Sequence, residues 1–115
     1  MDDSRRLHGL ELRYALSVYL AQHGPCLITE LIGGLTHQGF DLGAHAPKAV
    51  SDALRWEIGR GRVVRVRRGT YDATVWPRST AHRIFKRVLA LRSRARELRP
   101  VDLDAYDDAF WESLG

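Results

Sequence analysis

Pro47-Lys-Ala-Val-Ser-Asp-Ala-Leu-Arg-Trp-Glu-Ile58, then Gly59-Arg-Gly61, then Arg62-Val-Val-Arg-Val-Arg-Arg68, Gly69 and Thr70-Tyr71: the reading of this stretch decides the fold. Its first part has the spacing of a helix. Pro47 suits a first turn, where its missing N–H leaves no bond unmade, and Val50, Ala53, Leu54 and Ile58 recur on one side. A turn of about 100° per residue puts Lys48, Ser51, Asp52, Arg55 and Gly59 on the opposite side. After Gly61 the period changes. β-branched residues alternating with arginine, a turn at Gly69 and a return through Thr70, Tyr71, Ala73 and Val75 predict a two-stranded hairpin with a basic tip. Trp76-Pro77 closes it, and Trp76 and Tyr71 are read as packing residues.

Toward the N-terminus, Leu12, Ala15, Leu16, Tyr19 and Leu20 carry the three-and-four spacing of a helix from Leu7 to Gln22, stopped by His23-Gly24-Pro25. Thr29 is a candidate N-cap for a short second helix with Leu31, Ile32 and Leu35, running to Gly39 although Gly33-Gly34 weakens it. His37 to Ala46 reads as a connection. Toward the C-terminus, Ser79 or Thr80 opens a long helix to about Leu98. Its Ile84, Val88, Leu91, Ala95 and Leu98 are spaced four, three, four and three, the pattern of a helix that pairs with another. Beyond Pro100, Leu103, Tyr106, Phe110 and Leu114 fall at helical intervals among five acids, which predicts an amphipathic acidic tail. The units expected are therefore a domain over 7–77, a long basic helix over 78–99 and the tail over 100–115.

At 115 residues, 44% of them hydrophobic, the chain suffices for one domain with one core. The formal net charge of +4 is unevenly placed. Residues 1–54 hold four basic and six acidic side chains, 55–99 fourteen and three, and 100–115 none and five. Cationic side chains gathered in the middle of the chain suit a polyanion, since they release counterions on meeting phosphate. The apolar runs are too short to cross a bilayer, and the opening residues Asp2, Asp3, Arg5 and Arg6 lack a signal peptide's apolar core. No membrane is expected. Cys26, the single cysteine, cannot form an internal disulfide and is read as a buried structural thiol in a reducing, cytoplasmic setting.

Three helices followed by a hairpin resemble the winged helix-turn-helix superfamily. Within it, Tyr14 to Tyr71 is most similar to the HARE-HTH type: a first helix, Pro25-Cys-Leu-Ile-Thr-Glu-Leu31 opening the second, a glycine-containing loop, Val50-Ser-Asp-Ala-Leu-Arg55 and Arg67-Arg-Gly-Thr-Tyr71. The resemblance covers about half the chain and implies an α+β, mainly helical fold and a DNA-associated module of regulators, chromatin factors or restriction systems. A helix fits the major groove, about 12 Å wide, and is read through its outward face. Lys48, Ser51, Asp52 and Arg55 occupy that face. Arg55 takes a guanine edge or a phosphate, Ser51 a base or a phosphate, and Asp52 accepts from cytosine or orients Arg55. Arg60, Arg62, Arg65, Arg67 and Arg68 crowd one hairpin, and such neighbours repel unless an anion lies close. Trp56, off the apolar side, is assigned to packing at the hairpin's base, with stacking on a sugar as the alternative.

Two functions from different classes remain. The first is a transcription regulator or nucleoid-associated protein on double-stranded DNA, expected to be a homodimer through Ile84, Val88, Leu91, Ala95 and Leu98, with burial of that stripe against the first helix of its own chain as the other outcome. The second is a protein-interaction module using the long helix and the tail. The tail itself docks on the preceding helix, competes with DNA or recruits a partner protein. RNA is disfavoured by the lack of an aromatic platform. No cofactor and no catalysis are expected: His8, His23, His37, His45, His82 and Cys26 show no ligand spacing, and neither a phosphate-binding loop nor a dinucleotide fingerprint occurs.

Overall fold

The computed structural model describes residues 5–98. Along them run α1 (Gly9–His23), β1 (Cys26–Leu27), α2 (Ile28–His37), α3 (Ala46–Gly59), β2 (Val63–Arg67), β3 (Thr70–Ala73) and α4 (Arg78–Leu98). Four helices and a small three-stranded antiparallel sheet, in the order β1-β3-β2, make a mainly helical α+β fold. The predicted tail over 100–115 lies outside the described residues, as does the side chain of Leu98.

α1 is the central helix. Ser17 and Val18 are buried along with Leu12, Ala15, Leu16 and Leu20, so two of its sides are covered besides the apolar stripe expected from spacing. Gly24 ends the helix, its N–H donating to the Leu20 carbonyl at a φ of 82°. β1 is absent from the sequence reading, because two residues show no alternation. Its partners come from far along the chain: Cys26 lies opposite Tyr71 and Leu27 opposite Thr70. The Leu27 N–H donates to the Glu30 carboxylate, so Glu30 satisfies the start of α2 rather than Thr29, which lies inside the helix. Cys26 is buried, and burial pushes its thiol up.

Gly34 explains why a helix tolerates a glycine pair. The Tyr19 ring of α1 rests on its backbone, where any Cβ would collide with the ring, whereas Gly33 faces open space. The two glycines therefore predict opposite outcomes. Gly34→Ala should destabilise by about 1–3 kcal/mol through overpacking, while Gly33→Ala should stabilise by up to about 1 kcal/mol through helix propensity. Urea denaturation of the two variants checks the sign of each.

The connection after α2 is structured. Phe40 and Leu42 are buried, and the Leu7 N–H donates to the Asp41 carbonyl at 2.9 Å, tying the N-terminal segment under the loop. Pro47 stands in the first turn of α3, as expected. In the hairpin Gly69 takes a φ of 75°, and an irregularity between Arg65 and Arg67 leaves Val66 without an opposite residue. Only Val63 of β2 is buried, so the hairpin projects from the body. α4 begins one residue before Ser79, where the Pro77 carbonyl accepts the Ala81 N–H at 2.9 Å.

The dimer seam expected on α4 is closed within the chain. Ile84 and Val88 pack with Val18 of α1, beside Tyr14, Trp76 and Phe85, while Leu91 and Ala95 join the main core. Heptad spacing states that a helix needs an apolar partner but not which one, and α1 supplies it. What α4 presents outward is basic, with Arg83, Lys86, Arg87 and Arg94 exposed and Arg87 bonded to Glu11 of α1 at 3.1 Å.

Candidate functional site

On α3 the buried residues are Val50, Ala53, Leu54 and Glu57, the full set of positions spaced three, four and seven from Val50. A carboxylate thus occupies a core position, and Ile58, assigned to the core by its chemistry, is 40% exposed on the flank. Glu57 is 0% exposed and fully bonded. Ser17 donates its hydroxyl to Oε1 at 2.6 Å, and Arg13 donates Nε to Oε2 at 3.2 Å. Arg62 grips both oxygens, Nε to Oε1 at 2.9 Å and Nη2 to Oε2 at 2.6 Å. Burial pushes the carboxyl up, but the bonds from Arg62, Ser17 and Arg13 outweigh it and hold Glu57 below the usual glutamate range.

Arg62 also anchors the hairpin by its backbone. Its carbonyl accepts the Trp76 indole N–H at 2.9 Å and the Thr74 N–H at 3.0 Å, and its guanidinium lies over the Tyr14 ring, 5.4 Å from the centroid. The expected place of Arg62 among outward-facing contact residues is thereby corrected. Its side chain is turned inward, because a bidentate partner in the core is worth more to a guanidinium than a solvated surface. Glu57, Arg62, Ser17 and Arg13 form a clamp that joins α1, α3 and the hairpin's root. Sequence reasoning missed it, although the register of Glu57 with Val50 was a signal in plain view.

Held by that clamp, the hairpin stands beside α3 and forms an open cleft of about 460 Å³. Ser51, Arg55 and Ile58 line it from α3, and Arg65, Arg68, Gly69 and Tyr71 from the hairpin. Three arginines from α3 and the hairpin line it, and no carboxylate is among the lining residues. Of the other residues singled out in the sequence, Lys48 and Asp52 pair with each other at 2.9 Å on the exposed face, which cancels their charges. The bond from Lys48 and its positive charge lower the Asp52 carboxyl, so Asp52 serves Lys48 rather than orienting Arg55. Arg67 is exposed on the hairpin outside the cleft, and Arg60 lies on the other side of α3.

Trp56 corrects another expectation. Instead of packing under the hairpin it is 62% exposed, with the Arg13 guanidinium 5.5 Å from its ring centroid. A groove of about 440 Å³ lined by Arg55, Trp56, Gly59 and Arg60 runs along one side of the ring. Trp76, by contrast, packs on Phe85 as a structural residue, and Tyr71 packs against the core while one side of it lines the cleft.

Among the described residues no group of three or more metal-ligating side chains converges, and no helix is long and apolar enough to cross a membrane. Comparison with protein-family models, with curated proteins and with solved structures gives no match.

Proposed function

We propose that this protein binds duplex DNA as a winged helix-turn-helix, with α3 as the recognition helix and the β2–β3 hairpin as the wing. The observation that carries the reading is the convergence of Arg55, Arg65 and Arg68 on one open cleft free of carboxylates. An anion in the cleft relieves their mutual repulsion, and a duplex backbone supplies anions in series. The element order supports it, since a short strand between the first two helices extends the hairpin into a three-stranded sheet beside a helix-turn-helix.

The outward face of α3 is modest in its reading capacity. Lys48 and Asp52 offset one another, which leaves Ser51 and Arg55 for base edges. Phosphate contacts therefore dominate affinity and sequence preference is weak, as suits a nucleoid-associated protein or a regulator of relaxed specificity. Measuring the binding of random and genomic duplexes across a salt series tests this. A steep fall with salt is expected, and binding that ignores salt, or no binding at low salt, would overturn it. The alternative, an interaction module using the long helix and the acidic tail, would have to use the basic outer face of α4 or the tail itself, because Ile84, Val88, Leu91 and Ala95 are buried within the chain.

A further inference from the structure

We propose that the acidic segment 101–115 docks in its own chain against the Trp56 side of α3. Trp56 forms a ridge between two grooves. One, of about 440 Å³, is flanked by Arg55 and Arg60, and the other, of about 290 Å³, is bounded by His8, Gly9, Leu12 and Arg13 at the start of α1 and by Asp52 of α3, whose charge Lys48 offsets. A tryptophan offers roughly 150–250 Å² of contact area, and rigid aromatic surface flanked by arginine is the composition at which binding energy concentrates. At 62% exposure it is open to an occupant.

Charge and chain path identify that occupant. The tail carries Asp102, Asp104, Asp107, Asp108 and Glu112 with no basic residue, and Tyr106, Phe110 and Trp111 among them. Its aromatic rings match the groove beside Trp56, and its carboxylates match Arg55 and Arg60 on the rim of that groove. α4 packs along α1: Ile84 and Val88 lie beside Val18, and Arg87 is bonded to Glu11 in the first turn of α1. That bond brings the middle of α4 beside the start of α1, where His8 and Gly9 line the second groove. From Leu98 to Phe110 an extended chain covers about 40 Å, more than two of the three described dimensions of 49 × 33 × 26 Å. The outer face of α4, also basic, has an open groove of about 470 Å³ lined by His82, Arg83, Lys86, Arg87 and Ala90, but it holds no tryptophan to anchor the rings of the tail. Docking on Trp56 would cover Arg55, which also lines the cleft, and would set the tail in competition with any polyanion there.

The test is a nitroxide on Ser113→Cys in a Cys26→Ala background of the full chain, read by amide and indole NMR. The expected result is strong loss of the Trp56 indole and Gly59 amide signals, restored when the nitroxide is reduced. Phe110→Ser with Trp111→Ser should abolish the loss while the signals of Ile84 and Val88 stay in place, which shows that the fold survives. Loss confined to residues 82–90 of α4, or no loss at all, overturns the proposal. So does loss that appears when labelled chain is mixed with separate nitroxide-bearing chain, since that is docking between copies. The readout involves no DNA, so its failure is distinct from failure of the DNA-binding reading.

Discussion

Glu57→Ala is expected to destabilise the protein by about 3–5 kcal/mol, a large part of the roughly 5–15 kcal/mol that holds a domain of this size. The reason is what the substitution leaves behind. Arg62 and Arg13 are bonded to Glu57 at the junction of α1, α3 and the hairpin, and without it two guanidinium groups remain at a mostly buried site. The urea midpoint should fall sharply, and the Trp76 environment should change with it, because its indole is bonded to the Arg62 carbonyl. A double variant, Glu57→Leu with Arg62→Met, should recover part of the loss, since an apolar replacement leaves fewer charges unmatched. A single variant as stable as the parent chain would show that the clamp does not hold the fold.

The same carboxylate sets a pH dependence. Its bonds hold the folded-state value below that of the unfolded chain, so the unfolded state takes up the proton first. The stabilisation is complete above the ordinary glutamate range and is lost as pH falls through the lower folded value. In Glu57→Gln this acid-sensitive part of the urea midpoint should disappear, while the contributions of other carboxylates persist.

Replacing Arg55, Arg65 and Arg68 together with alanine is expected to weaken duplex binding about 100-fold at moderate salt, from roughly 1 kcal/mol for each lost charge-assisted contact. The salt slope should flatten by about three, close to one per phosphate contact removed. Stability should barely change, because all three side chains are exposed and take no part in the clamp. Lys48→Ala is the control. Its charge is already matched by Asp52, so its effect should be well under tenfold. Equal binding by the triple variant and the parent chain would remove the cleft from the interface.

Much of the secondary structure was legible in the chain because it is written in local signals. Pro47 and the Val50 spacing mark α3, Gly69 with its β-branched flanks marks the hairpin, and His23-Gly24-Pro25 marks the end of α1. The charge partition likewise pointed to the basic middle of the chain, within which the cleft forms. Illegible features were those in which residues distant in sequence choose each other. β1 exists only because Tyr71 and Thr70 pair with it, and Gly34 is explained only by the ring of Tyr19.

The sequence by itself therefore determined where the helices and the hairpin form and part of the outward side of α3, because capping, turn chemistry and apolar spacing act within a few residues, but it left Glu57 outside the core and put Ile58 within it. Tertiary structure alone decided how each charge and each apolar stripe is used. Periodicity marked α4 as a helix with an apolar stripe, yet only packing showed that α1 covers it. Composition counted Arg62 with its neighbours, but a carboxylate five residues earlier, placed in the core by the turn of α3, draws it inward. The arginines left facing the cleft are those for which the core holds no such partner.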